Sequence, residues 1–421
     1  MNTDWWNYGG ITRSVKILTY AKSHIDDYAI HLSNDEPDTI EGWVKIANAE
    51  ENQNVQIKIS ELKITETVTL NKSGEGKFSI HAKPILWNTE APKTYAVDFV
   101  YKQDIVRDTI GFRTIAVQGE NILLNGKSIF LKGISIHEES GLHPGRAWSE
   151  EDAQQLLTWA KDLGCNFVRL AHYPHSENMI KMADKMGILV WSEIPVYWTV
   201  LFNNPMVYQK AEKQLTEMIS RDKNRASVIL WSMANETPNG TARLKFISQL
   251  AQKTRQLDDT RLITAALETK TDDKGVRTID DPLSAVVDVI GINSYCGWYV
   301  AAPGSCSSIK WISPYHKPMI MSEFGGDALQ GNHGDKNQRW TEEYQADVYI
   351  NNLAMIDNIG FLRGVSPWVL KDFRSPRRPL PNIQDYWNRK GLVSDKGIKK
   401  KSWFILHDYY LNKKVPETSA N

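Results

Sequence analysis

The sequence predicts a multidomain protein of β and α/β class, an immunoglobulin-like β-sandwich followed by a (β/α)8 TIM barrel. Residues 20–114 contain short segments that alternate apolar and polar side chains, as strands with one buried face do. After Ser128, short apolar segments alternate with longer amphipathic patterns, as in the β/α units of a barrel. A chain of 421 residues is long enough for both.

The first half of this prediction is the sandwich, which we place at residues 20–115. Residues 55–59 and 95–100 show the alternation most clearly. Turn-forming clusters separate the segments at 34–37 and 73–76. Several short strands at close intervals are typical of an immunoglobulin-like sandwich.

The second half is the barrel, which we place at residues 116–421. The predicted strands are residues 129–136, 166–171, 188–194, 227–231, 261–266, 287–293, 318–322 and 364–369. Amphipathic helices separate several of them, one opening at Ser149 before three acidic residues and another over residues 205–222. Eight β/α units in sequence favour a closed barrel, whose active site lies at the carboxyl ends of the strands.

Residues 1–19 fit neither domain. They contain Trp5, Trp6 and Tyr8, and residues 14–18 have the pattern of a strand. We expect this segment to be the end of a further domain. The opening residues have neither the basic nor the apolar region of a signal peptide, so we expect a soluble chain without one.

Composition excludes several classes of function. Lys and Arg together equal Asp and Glu, so the net charge of zero argues against a nucleic-acid surface. No apolar run approaches the length of a membrane span. The cysteines Cys165, Cys296 and Cys306 are too few and too irregular for a disulfide framework or a zinc site, and we expect Cys165 and Cys296 to be packing residues. We expect neither metal nor cofactor.

Two glutamates stand where a barrel would place catalytic carboxylates. Glu236 follows the fourth predicted strand, directly after Asn235, and Glu323 follows the seventh. Carboxylates on opposite sides of a barrel mouth can face each other across a small ligand. In retaining glycosidases such a pair lies about 5–5.5 Å apart, and one carboxylate attacks while the other protonates the leaving oxygen. We therefore predict Glu236 as acid/base and Glu323 as nucleophile.

The motifs together resemble glycoside hydrolase family 2, which includes β-glucuronidases, β-galactosidases and β-mannosidases. Asn235-Glu236 resembles its acid/base signature, and Ser322-Glu323-Phe324-Gly325 its nucleophile signature. Further matching stretches are residues 7–13, 111–113, 124–127, 169–174 and 221–224. The resemblance covers essentially the whole chain. Family members usually begin with a jelly-roll sugar-binding domain, so the resemblance implies that residues 1–19 are its remnant.

Within the family, several stretches are closest to those of β-glucuronidases. Residues 293–299 resemble a stretch whose tyrosines, here Tyr295 and Tyr299, lie at the sugar. Asn388-Arg389-Lys390 fits the Asn-x-Lys motif in which the amide and the ammonium bind the uronate carboxylate. A buried carboxylate needs such partners. Uronidases often carry an arginine shortly before this motif, where this chain has residues 384–386, Gln-Asp-Tyr, although Arg374, Arg377 and Arg378 are nearby.

The resemblance implies further substrate-binding residues. It implies a sugar-binding role for Asp4, His137 and Asn235, and a hydrophobic floor at Trp368. Arg169 and His172 would orient the nucleophile and the sugar.

We therefore predict a retaining exo-β-glycosidase that hydrolyses terminal β-D-glucuronides by double displacement. The expected partner is a carbohydrate substrate, and self-association into a homo-oligomer stays open. The alternatives are a β-galactosidase or β-galacturonidase of the same family, and a truncated, non-catalytic carbohydrate-binding form.

Overall fold

The computed structural model describes residues 3–269 and 272–415. Residues 24–110 form a β-sandwich of two antiparallel sheets, in the orders β1-β2-β5 and β4-β3-β6-β7. The strands are β1 (His24–Leu32), β2 (Thr39–Ala47), β3 (Asn54–Ile59), β4 (Ile64–Thr69), β5 (Glu75–His81), β6 (Tyr95–Tyr101) and β7 (Asp104–Ile110). Alternate residues such as Val55, Ile57 and Phe99 fill the core between the sheets, as their period of two requires.

A small antiparallel sheet joins the sandwich to the barrel. Its strands are β8 (Ile115–Gln118), β9 (Asn121–Leu124) and β10 (Lys127–Ser128). Ile122 and Leu124 pack with Leu131 and Phe167, which begin barrel strands. This sheet therefore covers the amino-terminal end of the barrel, opposite the end at which barrel enzymes place their sites.

Strands between Leu131 and Val365 form a closed barrel of eight parallel strands. The eight barrel strands are β11 (Leu131–Ile136), β12 (Phe167–Leu170), β13 (Leu189–Glu193), β14 (Val228–Asn235), β15 (Leu262–Glu268), β17 (Val289–Asn293), β19 (Met319–Glu323) and β20 (Leu362–Val365). Two further short strands, β16 (Val276–Thr278) and β18 (Lys310–Ile312), lie between them in sequence. Strands β16 and β18 pair only with each other, and β20 returns to pair with β11. All eight predicted barrel strands are present, each displaced by a few residues at its ends.

Helices surround the barrel. They are α1 (Glu150–Asp162), α2 (Glu177–Met186), α3 (Pro205–Asp222), α4 (Thr241–Leu257), α5 (Glu342–Ile356) and α6 (Lys401–Asn412). Short 3-10 turns lie at Ser60–Leu62, Pro282–Ala285 and Pro303–Ser308, and a hairpin of β21 (Phe373–Arg374) and β22 (Trp387–Asn388) follows the barrel. Ser149 caps α1, and α3 has the bounds that the sequence predicts. In the described parts of the chain, no helix is long and apolar enough to span a membrane.

The strand predicted at residues 14–18 is wrong. Among the described residues this segment pairs with no other strand, and Ile17 is 93% exposed. The segment instead crosses the outside of the barrel loops. Arg13 forms an ion pair with Glu138, and Lys16 forms one with Glu177. An alternating pattern alone does not supply the edge with which a strand must pair.

The prediction that Cys296 is a packing residue is wrong, because it forms a disulfide. Cys296 and Cys306 are joined, with Cα atoms 5.8 Å apart, while Cys165 is free and buried. The bond lies within one loop after β17. Such a local crosslink requires only that the loop turn back on itself, so a framework of many cysteines is not needed.

Candidate active site

The ends of β14 and β19 bring the two predicted carboxylates to one cavity. Because the barrel strands are parallel, Asn235, Glu236 and Glu323 lie at the same rim. The cavity has a volume of about 370 Å³. It is lined by nine of the predicted residues: Asp4, His172, Asn235, Glu236, Tyr295, Tyr299, Glu323, Trp368 and Lys390. The other three, His137, Arg169 and Asn388, contact these lining residues from behind.

Glu323 is buried and is held on both carboxylate oxygens. Arg169 Nη1 donates to Oε1 at 2.6 Å, and the Tyr295 hydroxyl donates to Oε2 at 2.5 Å. A guanidinium and a hydroxyl that both donate to a carboxylate stabilise its ionised form and fix its orientation. Glu323 is therefore presented to the cavity as an oriented anion.

Arg169 is itself fixed by a carboxylate that the sequence analysis did not identify. Glu193 ends β13 and accepts from Arg169 Nε at 3.0 Å and from Trp191 Nε1 at 2.7 Å. His172 Nδ1 lies 2.7 Å from the other oxygen of Glu193. Burial alone would raise the pKa of Glu193, but the charge of Arg169 and the bond to His172 outweigh it and lower the pKa to about 2. Glu193 is therefore a permanent anion that orients Arg169.

Glu236 stands in a different environment. Trp198 Nε1 donates to its Oε2 at 2.9 Å and Asn293 Nδ2 to its Oε1 at 2.8 Å, and no cation is among these partners. Burial, together with the nearby charge of Glu323, raises the pKa of the Glu236 carboxyl to about 7. One carboxyl group is thus paired with a buried guanidinium while the other keeps its proton near neutral pH, and such unlike environments are what acid-assisted displacement needs.

Asn235 has a polar atom free for a ligand. Its Oδ1 accepts from Arg169 Nη2 at 2.6 Å and from Asn293 Nδ2 at 3.2 Å. Its Nδ2 is buried and has no hydrogen-bond partner among the described residues. Because Asn235 lines the cavity, this amide is placed to donate to a hydroxyl of a bound molecule.

Aromatic rings form one wall. The rings of His172 and Trp368 stack at 4.7 Å, and His137 stacks on Phe373 at 4.0 Å and meets Trp368 edge-on. Trp5 packs with His172 as part of the same cluster. Burial, with nearby positive groups, lowers the pKa of His137 well below its ordinary value, so its ring is neutral. Flat apolar faces suit the C–H surface of a sugar ring.

A second part of the cavity wall carries ion pairs. Asp4 is buried and accepts from Arg378 Nε at 3.0 Å, from Ser375 at 2.6 Å and from Asn388 Nδ2 at 3.2 Å. Arg378 Nη2 also donates to the Tyr299 hydroxyl at 3.2 Å. Asp4 thus attaches the amino-terminal segment to the loop after the barrel, beside the cavity.

Lys390 is buried beside this group. Its ammonium donates to Asp327 at 2.6 Å and lies 5.0 Å from the centre of the Tyr299 ring. Burial would raise the pKa of Asp327, but Lys390 outweighs it and the pKa is lowered. The ammonium keeps donors beyond the one that Asp327 uses. Arg378 and Lys390 form a cationic wall of the cavity, and Arg377, which lies 4.8 Å from the centre of the Trp198 ring, is a third cation in the cavity lining.

Comparison with known proteins identifies the family. Residues 115–360 match the model described as glycosyl hydrolases family 2, TIM barrel domain. The chain belongs to glycosyl hydrolase family 2. It is 31% identical to a β-glucuronidase of Mus musculus over 97% of this chain and 64% of that protein, and 31% identical to a β-glucuronidase of Streptococcus agalactiae over 98% and 73%. The chain thus spans a little under two thirds of the mouse relative.

The fold agrees with that of this family. The solved structure of a β-D-glucuronidase from Dictyoglomus thermophilum superposes with a TM-score of 0.82 and 28% identity, covering 98% of this chain and 73% of that one.

Sequence reasoning missed three residues of this family 2 site. Glu193 ends a barrel strand in the structure, as Glu323 does, and its place one residue before the end of the predicted strand 188–194 was the available signal. Trp198 lies in the loop after it, without a motif of its own. Arg378 lies six residues before residues 384–386, where uronidases often carry an arginine. Only the conformation of this loop in the structure shows that Arg378 reaches the cavity.

Proposed function

We propose that this family 2 chain is a retaining exo-β-glycosidase that hydrolyses terminal β-D-glucuronides. The observation that carries the proposal is one cavity with two unlike carboxylates, Glu323 bound by Arg169 and Tyr295, and Glu236 with a pKa raised to about 7. A cavity of about 370 Å³ is near the lower end of the range for ligand pockets and suits a single terminal sugar.

In the first step, Glu323 attacks the anomeric carbon and the bond to the leaving oxygen breaks. Glu236 transfers its proton to that oxygen, so the aglycone departs as a neutral alcohol. Arg169 and Tyr295 hold Glu323 in line, and their hydrogen bonds must weaken as its charge is lost to the new ester. The Asn235 amide, unpaired in the structure, donates to a sugar hydroxyl.

In the second step, Glu236 is a carboxylate and acts as a base. It takes a proton from a water molecule, whose oxygen attacks the anomeric carbon and releases Glu323. Two inversions at one carbon give net retention of configuration. Glu236 ends the cycle protonated, as it began.

The sugar's own carboxylate is the basis for choosing a glucuronide. Arg378 and Lys390 present N–H donors to the same cavity that the stacked rings of His172 and Trp368 line. Asn388 fixes Asp4, which in turn orients Arg378. A desolvated carboxylate binds well only where cations and hydrogen bonds replace water. The relatives named β-glucuronidase support the same substrate class.

A panel of 4-nitrophenyl β-glycosides tests the proposal. We expect kcat/KM for the glucuronide to exceed that for the glucoside and galactoside by about a hundredfold, since charge-assisted contacts are each worth about 1.5–3 kcal/mol. A preference for the galacturonide would mean that the substrate is the C4 epimer of the glucuronide, with the uronate assignment unchanged. A preference for the galactoside would contradict the uronate assignment.

The pH dependence should show the acid role of Glu236. Since its pKa is raised to about 7, the carboxyl is protonated below that pH and loses its proton above it. For substrates with poor leaving groups, kcat/KM should therefore fall about tenfold per pH unit above pH 7. Initial rates across pH 5–9 measure this limb. The limb should be absent for Glu236→Gln acting on 2,4-dinitrophenyl glucuronide, whose departure needs no proton.

We also propose the domain division 20–115 and 116–421, with the first unit immunoglobulin-like. The strand orders β1-β2-β5 and β4-β3-β6-β7 support this, since sandwiches of that class pack two antiparallel sheets of a few strands each. Expression of residues 20–115 alone, followed by thermal unfolding, tests whether this unit folds independently.

A further inference from the structure

The disulfide between Cys296 and Cys306 closes a ring in the loop after β17, directly beside the cavity. The ring contains Tyr299, which lines the cavity. Tyr295, the partner of Glu323, is the residue just before the ring. The loop therefore links the nucleophile to the cationic wall.

The two tyrosines are held in different ways. Tyr295 is partly buried, and its hydroxyl donates to Glu323 at 2.5 Å. Tyr299 is 55% exposed, and its ring meets that of Tyr295 edge-on at 5.1 Å. Its hydroxyl accepts from Arg378 at 3.2 Å, and Lys390 lies 5.0 Å from its ring centre. Because so much of the side chain is exposed, the place of Tyr299 depends largely on the course of its backbone.

That backbone turns tightly inside the ring. The amide of Tyr299 donates to the Tyr295 carbonyl at 3.1 Å, and the amide of Gly297 donates to the Val300 carbonyl at 2.8 Å. Helix α5 holds the start of the loop, through Asn352 to the Cys296 carbonyl and Tyr344 to the Gly297 carbonyl. It also packs against the 3-10 turn Pro303–Ser308, and the bond from Cys306 in that turn to Cys296 closes the segment between these two anchored ends.

We infer that Cys296 and Cys306 are positioning residues, whose disulfide holds Tyr299 against Arg378 and Lys390 and thereby shapes the site that receives the sugar carboxylate. This inference rests on the proposed glucuronide function and deepens it. The bond acts on the binding wall more than on the reacting carboxylates, because Tyr295 with its bond to Glu323, the contacts of Arg169 and Glu236 all lie outside the ring.

The consequence is a separation of binding from chemistry. Without the disulfide, the turn at residues 297–300 samples other conformations, and Tyr299 leaves the cationic wall for part of the time. The KM for a glucuronide should rise by about tenfold or more, whereas kcat should change by less than about threefold, since ground-state contacts are lost and the reacting groups are not.

The experiment compares Cys296→Ala/Cys306→Ala with the unmodified protein, using steady-state kinetics on 4-nitrophenyl β-glucuronide. Cys165→Ala is the matched control, because it removes a buried sulfur that forms no crosslink. The control should keep the KM of the unmodified protein. Both cysteines of the disulfide are buried, so a reductant reaches the bond slowly. The experiment therefore uses the double substitution and not chemical reduction to remove the bond.

A second variant separates positioning of Tyr299 from general weakening of the fold. In a Tyr299→Ala background, removal of the disulfide should raise KM no further, because the side chain that the disulfide positions is already absent. An equal rise in both backgrounds, or a loss confined to kcat, would overturn the inference.

Hydrogen exchange gives a readout that does not require activity. The amides of Gly297 and Tyr299 should exchange at least about tenfold faster in the double cysteine variant, while those of β19 should be unchanged. Unchanged exchange at these amides would contradict the inference even in an active enzyme. Faster exchange in a protein that hydrolyses no uronide would instead contradict the proposed function and leave the positioning intact.

Discussion

Glu323→Gln should reduce turnover of every β-glycoside by at least about 10⁴-fold, the scale seen when a nucleophile is removed. The amide has the shape of the carboxylate but cannot form the glycosyl ester. The second carboxylate bonded to Arg169 is Glu193, which also accepts from Trp191 and is not among the residues that line the cavity, so it does not replace Glu323. Steady-state rates on 4-nitrophenyl β-glucuronide, with circular dichroism to verify folding, measure the loss.

Glu236→Gln is the informative comparison for this prediction. With a 2,4-dinitrophenyl leaving group the first step needs little protonation, so this variant should form the glycosyl ester and then stall, giving a burst of released phenol. Glu323→Gln should give no burst. If both variants lose the burst equally, the assignment of nucleophile and acid is unsupported.

Chemical rescue extends the test to stereochemistry. In Glu323→Ala the space of the carboxylate is empty, and azide can attack the anomeric carbon from that side while Glu236 protonates the leaving oxygen. A single displacement gives a glycosyl azide of inverted configuration, which proton NMR identifies. A product of retained configuration would place the nucleophile elsewhere.

The sequence was sufficient for the barrel because its strands are short, apolar and separated by regular helices. The strand ends also located Glu236 and Glu323, since the fold itself puts those positions at one rim. Residues 14–18 show the limit of this reasoning. Their alternation is typical of a strand, but strand formation depends on a partner elsewhere, and pattern alone carries no information about that partner.

The electrostatics of the site depend on contacts that are distant in sequence. Arg378 meets Asp4 across 374 positions, and neither residue belongs to a regular element or a motif that predicts the pairing. Glu193 lies in a predicted strand, but its role follows only from the placement of Arg169 beside it. The sequence around Cys306 likewise does not show that the loop after β17 brings it to Cys296. Such pairs depend on the conformation of the loops, which sequence patterns do not predict.

The second large effect concerns the sugar carboxylate. Arg378→Gln should reduce kcat/KM for the β-glucuronide by about a hundredfold, because a charge-assisted bond is worth about 1.5–3 kcal/mol and about 1.4 kcal/mol is tenfold. The β-glucoside, which has no carboxylate, should lose less than about threefold. Arg374→Gln is the matched control, since Arg374 is exposed and lies in the same segment.

Lys390→Ala should also lower kcat/KM for the β-glucuronide more than for the β-glucoside. The choice of variant must take Asp327 into account. The two side chains are buried and bonded at 2.6 Å, so removal of the lysine alone leaves an unpaired buried carboxylate, at a cost of about 3–5 kcal/mol in stability. The double variant Lys390→Ala/Asp327→Asn removes that charge, and its amide oxygen still accepts from the Arg389 backbone N–H.

The test of whether these residues bind the sugar carboxylate is therefore the ratio of kcat/KM for the glucuronide to that for the glucoside, measured in each folded variant. It should fall about a hundredfold for Arg378→Gln and for the Lys390/Asp327 double variant, and stay unchanged for Arg374→Gln. A lysine or arginine with a purely structural role would depress both substrates alike and leave the ratio constant. A constant ratio in both variants would mean that the carboxylate of the sugar is bound by other groups, or not bound at all, and the choice of a glucuronide would lose its physical basis.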